Sequence, residues 1–433
     1  MERTATAYRG GDNLSEACVR KVKARIATQA ALASTAKFHS GWSLSLVPLF
    51  ASFMAVFHAM TDRHERIQGH VSMREYATTS ISPCSPRQSR FRRIFEWLII
   101  SVGLIVAAGA VYQFSMTEWE RHRYPPPGQL VDIGRLRLHI NCTGVGSPTV
   151  ILEAGPNDSS IIWQLAQPQI SRFTRVCSYD RAGFGWSDAP NEPRSSLNIA
   201  NELARLLNRA AVPGPYVLVG HDFGTLDLRV FTARHRQEVA GMVFVDSVHP
   251  DMHHRPPFNV APQSTFANLY FHVIPWTVPL GVPRILGWCR NNFTFPNQPA
   301  EWARLAPEAA AQYCRLQSWR AEEAQVTDED GSFPATTGPF GDMPLIVLSH
   351  DPQVNDFGGF FSPADLVKAE RSWMEMQGEL RTLSSRSQWI VAKGSPHWIQ
   401  IHRPEIVAAE VQEIVNDARG TAPFQADPKP EYK

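Results

Sequence analysis

The residues best placed to do chemistry stand together at Gly220-His221-Asp222-Phe223-Gly224. They follow the apolar run YVLVG and precede GTLDLRVF, so the pentapeptide sits where a strand gives way to a helix. Glycine on either side of the central residues permits a sharp turn and close backbone packing, the arrangement that presents a nucleophile at a strand-to-helix elbow. The residue presented here is Asp222. A carboxylate that attacks carbon leaves an ester on the chain, and a second group must then activate water to release it.

Several elements must hold that elbow in place. LVDIG and RLRLHINCTG read as two strands joined by a tight turn, because Leu136, Leu138 and Ile140 alternate with polar neighbours. PTVILEAG is a continuous apolar run ending at Gly155, and a helix over 161–170 and the strand RVCSYD follow it. Alternation continues through a helix over 197–210, the elbow strand, a helix over 224–235, and the strands GMVFVD, PLIVLS and QWIVAK. Such a pattern predicts a mostly parallel sheet with helices on both faces. Residues 247–343 break the order with Pro- and Trp-rich sequence too long for an ordinary loop, and they read as an inserted helical lid. Within it, Phe271, Trp276, Trp288 and Trp302 suggest an apolar pocket.

The succession LEAG, SYDRAGFGWSD, GHDFG, VDSVHP, PLIVLS and GSPHWIQ resembles the α/β-hydrolase superfamily over residues 128–416. The resemblance implies an eight-stranded sheet and a catalytic order of nucleophile, acid, histidine. Relatives with aspartate in the elbow are epoxide hydrolases and haloalkane dehalogenases, so Asp222 implies an alkyl-enzyme ester. His397, after the last strand in GSPHWIQ, matches the base. Its acid has two candidates, Asp246 after GMVFV and Asp351 in LSHDP, and the first is slightly favoured. The backbone N–H of Phe223 matches one oxyanion donor; Pro156 stands where the second is expected and has no N–H, which leaves Gly155 or Asn157, or no second donor. Dehalogenation is disfavoured because Phe223 and Pro156 occupy the positions of the halide-holding side chains. Epoxide opening needs a lid acid, and the lid offers Tyr270 and Tyr313. SYDRAGFGWSD is assigned a bracing role.

Composition excludes other classes. Lys+Arg 42 against Asp+Glu 41, with no basic cluster on a globular stretch, argues against a nucleic-acid partner. The six cysteines show no finger spacing, and no motif calls for a metal, nucleotide or flavin. In the superfamily sheet the strands bearing Cys142 and Cys177 are neighbours, and Cys289 and Cys314 both fall in the lid. Two disulfides in an oxidising compartment, or four buried thiols, both fit.

Residues 1–93 are poorly patterned. A transmembrane helix is expected over 94–117, since no charge interrupts 97–117 and about 20 apolar residues cross a bilayer. Arg87, Arg90, Arg92 and Arg93 before it, against Glu118 and Glu120 after it, place the N-terminal flank in the cytoplasm and the hydrolase domain on the other side. A second uncharged stretch, 38–61, is less apolar. An exported chain starting at Met73 with cleavage near Ala110 fits the same run. Residues 417–433 are expected as a tail. The leading function is thus a single-pass membrane-anchored, epoxide-hydrolase-like enzyme for a small apolar substrate. An esterase-like hydrolase and a non-catalytic binding protein on this fold are the alternatives.

Overall fold

The computed structural model describes residues 86–259, 272–295, 297–326, 338–354, 361–427 and 430–433. The stretch 38–61, Met73, Tyr270 and Phe271 lie outside them. Helix α1, Pro86–Arg123, starts earlier and ends later than the apolar run alone suggests. Its apolar residues from Phe91 to Val106 are exposed, as a bilayer-facing surface would be.

After α1, nine strands among the described residues form one sheet in the order β1-β2-β4-β3-β5-β6-β7-β8-β9. The strands are β1 Gln129–Asp132, β2 Arg137–Thr143, β3 Thr149–Glu153, β4 Val176–Tyr179, β5 Tyr216–His221, β6 Val239–Val245, β7 Leu345–His350, β8 Ser387–Ala392 and β9 Pro430–Tyr432. β2 pairs antiparallel with β1 and β4; every other pairing is parallel. Eight strands are expected, and the ninth comes from the segment expected as a tail: residues 430–432 extend the sheet beside β8.

Burial on both faces explains the unbroken apolar runs in the central strands. Val217 and Val219 of β5 face one core with Val243, Val245 and the C-terminal helix, whereas Leu218 faces the other with Met242 and Phe244. Helices α2, Ser196–Arg209, and α3, Gly224–Arg234, cover the second face. The described lid comprises α4 Ile274–Thr277, a 3₁₀ turn Val278–Leu280, α5 Val282–Ile285, α6 Trp288–Asn291, α7 Ala300–Tyr313 and α8 Leu316–Val326. After β7 comes α9, Pro363–Leu380, and after β8 comes α10, Pro404–Ala418.

Two disulfides join pairs the sequence made neighbours, Cys142–Cys177 between β2 and β4 and Cys289–Cys314 within the lid. Of the lid aromatics expected to line a pocket, Trp302 is buried in the lid's own packing, with its Nε1 donating to the Phe293 carbonyl at 3.0 Å. Trp276 and Trp288 are exposed instead. Among the described residues nothing covers the outer side of these short helices, which leaves those indoles facing outward.

Candidate active site

The carboxyl ends of β5, β6 and β7 assemble the site. Register places His221 of β5 beside Val245 of β6, so Asp222 and Asp246 are the next residues out of two adjacent strands. Both adopt left-handed backbone, φ 53° and 45°. Few residues other than glycine tolerate that region, and aspartate and asparagine are among them. The elbow glycines are required by space: a Cβ on Gly220 would come within 2.7 Å of Thr225 Cα, and one on Gly224 would collide with the Ala154 carbonyl.

Asp222 is half-buried at the start of α3. Burial pushes its carboxyl above the ordinary range, with Asp158 and Asp246 adding to the rise and His397 and His221 opposing it. The backbone of Gly155 lies against it, since an added Cβ there would sit 3.1 Å from Asp222 Oδ2. Arg181 fixes that backbone from below by donating to the Gly155 carbonyl and, at 3.3 Å, to Asp227 Oδ2. The neighbouring Asp180 accepts from the Ser160 and Trp186 N–H groups at 2.6 and 3.0 Å, which ties the SYDRAGFGWSD loop to the segment after Gly155.

Asp246 is the hub. Its Oδ2 lies 2.6 Å from His397 Nδ1 and its Oδ1 accepts from Trp373 Nε1 at 3.0 Å. His350, the last residue of β7, gives Oδ1 its backbone N–H at 3.1 Å and places its ring Nδ1 2.8 Å from Oδ2. The far ring nitrogen of His350 meets Glu370 at 2.8 Å. Burial alone would push these charges toward neutrality. For Asp246, His350 first and then His397 overcome it and hold the carboxyl well below the carboxylate range; for His350, Asp246 and Glu370 overcome it and raise the ring to about 10. Asp246 is therefore a carboxylate and His350 an imidazolium at neutral pH. Asp351 does not reach His397. It spans a turn, accepting from Gln353 N–H at 3.0 Å and Gly394 N–H at 2.8 Å.

Toward the lid, the His397 ring lies 4.5 Å from that of His221, and His221 Nδ1 lies 3.6 Å from Asp158 Oδ2. Asp158 also accepts from Trp398 Nε1 at 3.1 Å. Above it, Tyr313 is buried at the end of α7, stacked on Trp319, and donates its hydroxyl to Glu322 of α8 at 3.1 Å. Burial, reinforced by Asp158, outweighs the tyrosine bond and raises the Glu322 carboxyl to about 8. Sequence reasoning missed His350, Glu370, Trp373 and Glu322. The Ser362-Pro363 start of α9, where the Ser362 hydroxyl accepts from Asp365 N–H, was a readable signal for the helix that carries two of them. Among the described residues no His, Cys, Asp and Glu cluster is arranged to hold a metal.

A nucleophile-type elbow at the carboxyl edge of a doubly covered parallel sheet, roofed by an insertion, defines the class. The chain belongs to the alpha/beta hydrolase fold family, which matches residues 148–404. It is 26% identical over 330 residues to an uncharacterised protein of Schizosaccharomyces pombe, covering 67% of this chain and 56% of that one. The chain spans about half the length of the curated relatives it matches first. It is 33% identical over 134 residues, 27% of this chain and 21% of the other, to an uncharacterised vacuolar membrane protein of Saccharomyces cerevisiae. Among solved structures, the epoxide hydrolase CorEH superposes with a TM-score of 0.52 at 17% identity, covering 66% of this chain and 97% of that one.

Proposed function

We propose that this protein is a membrane-anchored hydrolase that opens an epoxide on a small apolar substrate through an alkyl-enzyme ester at Asp222. The observation that carries the reading is the carboxylate at the elbow with a histidine held 2.6 Å from a buried acid. An Asp222 oxygen attacks a ring carbon, and the ring C–O bond breaks. The opening oxygen takes its proton from the lid, where Glu322 is neutral at pH 7 and paired with Tyr313. Asp246 holds His397 with Nε2 toward the ester, and His397 takes a proton from the attacking water. The acyl C–O bond then breaks, the alkoxide takes the proton back from His397, and the diol leaves. Asp222 keeps the water oxygen and returns its proton to the lid carboxylate. Phe223 N–H at the head of α3, with the backbone at Gly155, supports the tetrahedral oxyanion.

The two disulfides and the arginine-rich N-terminal flank support a hydrolase domain on the non-cytoplasmic side. Single turnover of styrene oxide in ¹⁸O water tests the chemistry: label is expected in the peptide containing Asp222 and not in the first diol formed. Turnover of p-nitrophenyl esters with an unlabelled Asp222 would favour the esterase-like alternative. No turnover of either and no label would favour a binding protein.

A further inference from the structure

We infer that the outer face of the lid, Val273, Trp276, Ile285, Leu286 and Trp288, sits in the interfacial layer of the membrane that α1 crosses. The inference rests on reading α1 as a membrane span. It begins from where the lid meets α1. A Cβ on Gly109 would stand 2.5 Å from the Leu280 carbonyl oxygen, and one on Gly281 would stand 3.0 Å from the Tyr112 ring, so the lid backbone is laid directly on the helix. Gln113 donates to the Cys314 carbonyl at 2.8 Å and accepts from Arg284 at 3.1 Å, and Arg284 also pairs with Glu120.

Helix geometry turns this contact into a depth. At 1.5 Å per residue the uncharged run 97–117 is roughly 31 Å long, about the thickness of a hydrocarbon core. Gly109 lies eight residues inside its outer end, roughly 12 Å by the same rise. The helix is exposed on all sides only up to Ala108 and is partly covered by the lid beyond it, so with the exposed part in the hydrocarbon the lid segment touching Gly109 lies at its outer edge, in the interfacial layer.

The surface beside that segment has the matching chemistry. Trp276 is 77% exposed and Ile285 64%, and Val273, Leu286 and Trp288 are exposed with them. Ile285 N–H bonds to the Gly281 carbonyl, so it stands one turn from the helix contact. No acidic residue occurs between Val273 and Ala300, while Arg284 reaches outward along α1 to Glu120 and Arg290 is exposed. Indoles and aliphatics with outward-reaching arginines are what an interfacial segment presents to lipid. In water the same patch would be an exposed apolar surface that no described residue covers.

The test uses the full chain carrying Cys18→Ser and Cys84→Ser, reconstituted in phosphatidylcholine vesicles. Single cysteines replace Trp276, Ile285 or Leu286, with Val145 as a distant exposed control and Leu104 as a reporter of α1. Each is labelled with a polarity-sensitive fluorophore and challenged with lipids bearing a spin label high on the acyl chain, or with iodide in the water. Lid labels quenched severalfold more by the spin-labelled lipid than by iodide, and the Val145 label the reverse, are expected. Lid labels open to iodide while the Leu104 label is lipid-quenched would overturn the inference and leave the anchor standing. Lid labels shielded from both quenchers would mean that a second copy or another protein covers the face, which also overturns it. A Leu104 label open to iodide would remove the anchor and the inference with it.

Discussion

At the scale of single residues, the proposed mechanism needs one acid behind His397, and of the two candidate aspartates Asp246 is the one that contacts its ring. Asp246→Asn keeps a side chain that accepts left-handed backbone but loses the charge facing His397, so turnover is expected to fall by about 10³-fold or more. Asp351→Asn, in a turn, should stay within about threefold, and steady-state rates on one epoxide compare the two. Glu322 makes a prediction about pH. Its carboxyl titrates near 8 in the folded chain against an ordinary 4.5, so the folded state holds a proton that the unfolded chain has lost. That contribution to stability is fully present below pH 4.5 and is lost as the pH rises through 8, with a slope of at most about 1.4 kcal/mol per pH unit. Other buried groups share the window, so the difference between wild type and Glu322→Gln in urea unfolding from pH 5 to 9 isolates it. The same substitution removes the proposed proton donor, so kcat/KM should fall by about 10²-fold or more and lose its alkaline limb, while the acid limb, set in the proposed mechanism by the need to ionise Asp222, remains.

At the scale of elements, the elbow was legible because its requirement is local. Two glycines were needed where Thr225 and Ala154 crowd the backbone, and glycine is what a sequence shows at such a point. Gly224→Ala, forced against the Ala154 carbonyl, should cost about 1–3 kcal/mol in urea unfolding. The strands were legible as apolar runs, and the partner of His397 was narrowed to two aspartates by chain order. What could not be read was which distant residues converge on Asp246. His350 is 104 positions away and Trp373 127, and nothing in one segment announces the other. Trp373→Phe should keep the ring packed while removing one bond to a buried carboxylate, a loss of about 1.5–3 kcal/mol measurable in the same way. β9 was illegible for another reason. Three residues carry no period, and only the open edge of β8 makes a strand of them. Trp276 and Trp288 misled because an indole signals apolar surroundings without saying whether they are protein or lipid.

At the scale of the whole molecule, one covalent staple joins two neighbouring strands and another ties two segments of the lid. Cys142 and Cys177 are 35 residues apart, so replacing both with alanine should lower stability by about 3–4 kcal/mol, read against the oxidised wild type by thermal unfolding. The lid is held to α1 by Gly109, Gln113 and Glu120, so the site and the apolar helix form parts of one packed unit. The cysteines divide along that helix. Cys142, Cys177, Cys289 and Cys314 follow it and are oxidised in pairs, while Cys18 and Cys84 precede it. On the proposed orientation, the chain carries its own topological bookkeeping in sulfur. A thiol reagent that cannot cross membranes should find nothing on intact cells, four new sites after a reductant that also stays outside, and the N-terminal pair only once the membrane is breached.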